Sequence, residues 1–127
     1  AESAPAARRV LAMQAMCDIA VFEVGSASST ALCTSDLVSQ EEHRLLREHA
    51  VGRVCGRFID EHGRIVAPSL SQRVVGPTLS DLRRVKRSVL VAGGLELLPM
   101  IRAALDNRYA NHLVTDVETA AALISSP

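Results

Sequence analysis

Ser88-Val89-Leu90-Val91-Ala92-Gly93-Gly94 decides how this chain is read. The five residues before the glycines are apolar or small on both alternations, whereas a strand with one wet face would alternate. Such a run belongs in a parallel sheet covered on both sides. The glycine pair then turns the chain into a helix carrying Leu97, Leu98, Ile101, Ala104 and Leu105 on one side. Pro99 is tolerated in a first helical turn, so the helix begins near Leu97. The same unit recurs downstream. His112 to Thr115 reads as a strand, and Thr115-Asp116-Val117-Glu118 as the capping box of a closing helix through Ala120, Ala121 and Ile124.

Upstream the alternation continues. Residues 1–17 read as a helix with Val10, Leu11, Met13 and Cys17 on one face, and Asp18 to Gly25 as an apolar, β-branched strand. Residues 26–38 are Ser- and Ala-rich loop. Ser39-Gln40-Glu41-Glu42 is a capping box that starts a helix through Leu45, Leu46 and Ala50, stopped by Gly52. Val54 to Asp60 reads as a second strand, Glu61 to Gly63 as a turn, and Ile65-Val66 and Gln72 to Gly76 as short extended pieces. Thr78-Leu79-Ser80-Asp81 opens a short helix over residues 79–84, which runs into the basic cluster Arg83 to Arg87. The sum is one α/β domain: an open, mostly parallel sheet with helices on both faces and a small inserted set of short strands between Val54 and Gly76.

Composition narrows the function. The 127 residues are 48% hydrophobic with mean hydropathy +0.18, enough for a core and too apolar for a disordered chain. Fourteen basic residues balance fourteen acidic ones, so this stretch is not expected to grip nucleic acid by its phosphates. Aromatics are 2%, which removes base- and sugar-stacking platforms. The longest uncharged stretch, Val24 to Ser35, is too short to cross a bilayer, and no charged-then-apolar leader opens the chain, so no membrane partner is expected. Cys17, Cys33 and Cys55 form no Cys-x-x-Cys pair, and His43, His49, His62 and His112 show no helical pairing. We therefore expect no metal, no disulfide framework and a reduced, cytoplasmic protein.

In open α/β sheets ligands bind beyond the carboxyl ends of the strands. Four places carry that address: Gly25-Ser26, Asp60, Gly93-Gly94 and Asp116 beside Thr115. Gly93-Gly94 leaves N–H groups bare at a helix start, where an anion can approach, although a tight turn alone also explains the pair. Asp116 reads equally as a helix cap, and Asp60 as a turn-forming residue. Ser26, Ser28 and Ser29 could donate to an anion or a hydroxyl. No nucleotide-cofactor motif is present, whether Gly-x-Gly-x-x-Gly or a phosphate loop, and no nucleophile elbow; catalytic residues and cofactors are assigned as none.

A set of segments carries a resemblance. Asp18-Ile-Ala-Val to Gly25, Ala50-Val-Gly-Arg-Val-Cys-Gly-Arg-Phe-Ile-Asp60 to Gly63, Arg73-Val-Val-Gly76, Leu79-Ser-Asp-Leu-Arg-Arg-Val85, Ser88 to Gly94 with Ile101 to Leu105, and Leu113-Val-Thr-Asp116 with Thr119-Ala120 occur in order. From Arg9 onward the chain resembles the C-terminal sugar-binding domain of SorC-type transcriptional regulators, within the DeoR-like group. The resemblance implies a Rossmann-like domain, related to sugar-phosphate isomerases and deaminases, that senses a sugar or sugar phosphate. It also implies operator binding through an N-terminal helix-turn-helix outside this chain, a first βα unit likewise outside it, and a homo-dimer or higher oligomer. Gly25, Ser26, Asp60, Gly93, Gly94 and Asp116 are then the effector-binding candidates. Two departures stand out: Glu23 occupies a place where the family often has glycine, and Leu97 a place where it tends to have lysine. The alternative is a fragment of an isomerase or deaminase, whose acid and base would be sought at Asp60 and Asp116. The sensor reading predicts no turnover of ribose, fructose or glucosamine phosphates. An isomerase or deaminase rate abolished by Asp60→Asn in a coupled assay would reverse it.

Overall fold

In the computed structural model, residues 4–28 and 34–125 are described. Cys33 and Ser29 lie outside them. Helix α1 (Pro5–Gln14) leads to strand β1 (Ile19–Phe22), then β2 (Val24–Ser26), helix α2 (Gln40–His49), and strands β3 (Gly52–Val54) and β4 (Arg57–Ile59). Helices α3 (Pro68–Ser71) and α4 (Leu79–Arg84) follow, then β5 (Arg87–Val91), a 3-10 turn (Leu95–Leu97), α5 (Leu98–Asp106), β6 (His112–Val114) and α6 (Val117–Ser125). The α/β class holds. A parallel sheet has the order β1-β5-β6, and a small antiparallel sheet the order β2-β3-β4.

Two expected strands divide. The run Asp18 to Gly25 splits at Glu23, its first half joining the parallel sheet and its second the antiparallel one. Val54 to Asp60 is a hairpin turning at Cys55 and Gly56, whose φ angles of 51° and 78° are those of a two-residue turn of primed type. Gly52 begins β3 rather than stopping α2, which ends at His49. A methyl at Gly52 would sit 1.8 Å from the Met100 sulfur and 2.6 Å from the Gly25 carbonyl, so glycine there is what lets α5 lie on the sheet. Ile65 pairs with Ile59 as an isolated bridge. Of the extended pieces, 72–76 is turn and irregular chain; α3, not foreseen, precedes it.

The core follows from register. Ala20 pairs with Ser88, and Phe22 with Leu90 and through it Leu113, on one face of the parallel sheet. That face packs with Leu79 and Leu82 of α4, Met100, Ile101, Ala103 and Ala104 of α5, and Leu123 of α6. The alternate residues point the other way: Ile19, Val21, Val91 and Val114 are 54, 68, 46 and 55% exposed. Among the described residues, helical cover is thus on one face. The antiparallel sheet is enclosed on both. Val24, Val54 and Ile59 face the α5 core, whereas Phe58 packs with Val38, Leu46, Val66, Ala67 and Leu70 near α2 and α3.

Buried polar groups pin the irregular parts. The Arg57 side chain is buried and donates to the carbonyls of Ser71, Pro77, Val74 and Gly76 and to the Ser71 hydroxyl. Burial of this cation is compensated by peptide oxygens, which fixes the course of residues 71–77. Glu42 accepts from the Ser39 N–H at 2.9 Å, the Ser69 hydroxyl at 2.7 Å and both of its oxygens from Arg73. The capping box read at Ser39 is therefore also a tertiary bridge. These bonds hold the Glu42 carboxyl down to about 2, with the Ser39 N–H the largest cause.

Two outcomes follow. Ile101→Ala, at a fully buried site, should cost about 2–5 kcal/mol in denaturant unfolding, with Val10→Ala on exposed α1 near neutral. Unfolded glutamate titrates near 4.3, above its folded value, so the contribution of Glu42 is complete above about pH 5 and fades as pH falls toward 2. Glu42→Gln should lower thermal stability at neutral pH and flatten that part of the acid limb; an unchanged acid limb would show that Glu42 is not its source.

Candidate functional site

The carboxyl ends of β1, β5 and β6 converge on a small polar constellation. After β5 the chain bends at Gly93 and Gly94, the latter with φ 110°. After β6, Asp116 caps α6: its Oδ1 accepts from the Thr119 N–H at 2.8 Å, and its Oδ2 from the Thr119 hydroxyl at 2.8 Å. The cap thus lies one residue beyond the Thr115 expected from the sequence, and the box partner Glu118 gives way to Thr119. Asp116 Oδ2 also accepts from the Gly94 N–H at 3.2 Å, which is shared with the Thr119 hydroxyl at 2.9 Å. These N–H donors hold the Asp116 carboxyl below the usual range, the Thr119 N–H being the largest cause. A methyl on Gly93 would stand 2.4 Å from Asp116 Oδ2, so glycine is needed for the two turns to meet.

This changes the chemistry expected at the glycine pair. The Gly94 N–H is engaged by the protein's own carboxylate and hydroxyl, and the Glu96 carboxylate folds back to 2.6 Å from where a Gly94 Cβ would be. The turn presents acceptors, suited to sugar hydroxyls, more than donors for an anion. Thr115 Oγ1 is buried beside Gly93 and has no hydrogen-bond partner among the described residues. The sequence offered Thr115 as a helix cap beside Asp116, whereas Thr119, fully buried here, was not singled out, since no local pattern announces its burial.

Gly25 and Ser26 lie in β2, which packs against both the Leu95–Leu97 turn and α5, so they stand at the same end as the glycine pair. The Ser26 and Ser28 hydroxyls are 3.0 Å apart. Gly25 faces Arg53 across β2 and β3, and the arginine's Cζ and Nη2 lie 3.0 Å from the position a Gly25 Cβ would take. Arg53 is a second residue that the sequence reading passed over.

Asp60 is not brought to this place. Its Oδ1 accepts from the N–H groups of His62 and Arg64, both at 2.9 Å, which makes it the turn residue. That turn docks on the far end of α5: Asn107 Nδ2 donates to the His62 carbonyl, and the Tyr109 hydroxyl to that of Gly63. A nine-residue helix separates the two ends by ~13 Å. The expectation that Asp60 and Asp116 share one set of strand ends is corrected accordingly. The basic cluster also lies at the amino ends, with Arg83 donating to the Asn107 carbonyl and stacking 4.9 Å from the Tyr109 ring. Among the described residues no group of three or more His, Cys, Asp or Glu side chains is arranged to hold a metal, and no helix is long and apolar enough to cross a membrane.

Comparison with known proteins adds the family. Residues 2–125 match the family described as "Putative sugar-binding domain". The chain is 40% identical to the deoxyribonucleoside regulator of Bacillus subtilis over 118 residues, which is 92% of this chain and 38% of that protein. It is 36% identical to the sorbitol operon regulator of Klebsiella pneumoniae over 68% of this chain and 27% of that one. The full-length SorC structure from Klebsiella pneumoniae superposes with a TM-score of 0.80 at 30% identity, covering 97% of this chain and 41% of that one. A transcriptional regulator from Streptococcus pneumoniae gives 0.82 at 26% identity, with 98% and 48% covered. The chain thus spans less than half the length of these relatives. With nearly the whole length matched and the fold shared, the chain belongs to the sugar-binding-domain family of SorC- and DeoR-type transcriptional regulators.

Proposed function

We propose that this chain is the effector-sensing part of a longer transcriptional regulator, which binds a sugar or sugar phosphate at the carboxyl ends of β1, β5 and β6. The observation that carries this reading is the junction of Gly93-Gly94 with Asp116 and Thr119, a set of acceptors fixed by the fold at the place where open α/β sheets hold ligands. Gly25 and Ser26 complete the rim. Operator DNA is bound by a part of the regulator outside this segment, and the regulator works in the cytoplasm as a homo-dimer or larger oligomer.

The exposed face of the parallel sheet supports a domain larger than this chain. Among the described residues β1 has a neighbour on one edge only, and Ile19, Val21, Val91 and Val114 form an apolar face that a parallel sheet normally keeps under helices. A further βα unit of the same regulator would extend the sheet at β1 and cover that face. The reading of an isomerase or deaminase fragment has less support. Its acid and base would have to act on one substrate, yet Asp60 and Asp116 sit at opposite ends of α5, and the relatives carry the names of regulators.

Thermal-shift measurement on the full-length regulator tests the proposal. A panel of ribose, fructose and glucosamine, each free and phosphorylated, should contain a compound that stabilises by about 2.7 kcal/mol when present at a hundred times its Kd. The same compound should alter operator binding. A panel without effect on either readout would count against the sensor.

A further inference from the structure

We propose that Thr119 is the positioning residue of the effector site, aligning Asp116 for the sugar through one buried hydroxyl; the proposal rests on the sugar-sensing reading above. The place of Thr119 in α6 poses the question. Among the described residues of that helix it alone is fully buried, at a position where alanine or valine would seat the helix with no polar group to satisfy. A buried hydroxyl is costly unless it is bonded. Both partners of this one lie at the strand ends: the Gly94 N–H at 2.9 Å, after β5, and Asp116 Oδ2 at 2.8 Å, after β6.

Chemistry fixes the direction of these bonds. An amide N–H only donates and a carboxylate only accepts, so the Thr119 oxygen takes the Gly94 proton and gives its own to Asp116. The Thr119 N–H donates to the other carboxylate oxygen, Oδ1, at 2.8 Å. One residue therefore holds both oxygens of Asp116. A helix cap needs only the bond from the N–H. The hydroxyl bond is additional, and it ties the cap of α6 to the turn after β5. With the Gly94 N–H also at 3.2 Å, Oδ2 has both lone pairs filled, and Oδ1 keeps room for a further donor. Gly93 closes in on the same oxygen, since a methyl there would stand 2.4 Å from Oδ2. The exposed Asp116 carboxylate is thus set in one orientation, with Oδ1 left to accept from an effector hydroxyl.

Calorimetry on the full-length regulator tests this with ribose, fructose and glucosamine, each free and phosphorylated. Thr119→Val keeps the shape of the side chain and removes the hydroxyl; it should weaken the tightest-bound compound about tenfold. Thr119→Ser should recover most of that affinity. Circular dichroism melts check that each variant is folded, and Thr119→Ala, which leaves no methyl against the carboxylate, replaces Thr119→Val if the latter is not. A double-mutant cycle with Asp116→Ala separates positioning from helix seating: with the carboxylate gone, Thr119→Val should cost no further affinity. Wild-type affinity in the folded Thr119 variant overturns the inference, as do losses that simply add in the double variant. If Asp116→Ala binds like the wild type, the positioning role falls while the sugar-sensing reading stands. A panel in which the wild type binds nothing ends both.

Discussion

Phe22, Leu90 and Leu113 lie in one row across three parallel strands, and this row sets where everything else can go. Because side chains alternate along a strand, fixing that row on the helix-covered face also fixes Ala20 and Ser88 there and sends Ile19, Val21, Val91 and Val114 to the other face. A shift of one residue in either pairing would bury the wrong set. Ser88 contributes a polar lock to this register. Its N–H donates to the Asn111 side chain and its hydroxyl to the Tyr109 carbonyl, so the start of β6 is tied to β5 before their ladder begins.

From that row the strand ends inherit their geometry. α5 must return from the carboxyl end of β5 to the amino end of β6, and its two termini then carry different business. At its start, Gly94 meets Asp116 and Thr119; at its end, Asn107 and Tyr109 hold the turn at Asp60. The separation of two aspartates that look alike in sequence follows from the length of one helix. It also places Asp116, Thr119 and the glycine pair at one end of α5 and Asp60 at the other.

Around the second, antiparallel sheet, whose Val54, Phe58 and Ile59 are buried in apolar clusters, the irregular chain is organised by buried charge. Arg57 holds the chain from Ser71 to Pro77 through peptide oxygens, and Glu42 joins α2 to Ser69 and Arg73. Both are expensive to leave unpaired, so each specifies one arrangement of irregular chain. In the same sheet Arg53 lies over Gly25, its strand partner in β2.

The sequence alone determined what lies within a few residues of itself. The capping box at Ser39–Glu42, the helix start at Thr78 with helix α4, the strand leading to Gly93 and the α/β alternation were legible because propensity, capping and periodicity are local, whereas the cover expected on both faces of that strand is found on one. The hairpin at Cys55-Gly56 was hidden, since a cysteine at positive φ gives little warning and Gly56 was the single signal. Only tertiary structure could divide Asp18 to Gly25 between two sheets, move the cap from Thr115 to Asp116, part Asp60 from the rim and lay Arg53 across a glycine. In each case the outcome depends on a hydrogen-bond or packing partner distant in the chain, and the spacing of residues carries no record of which partner that will be.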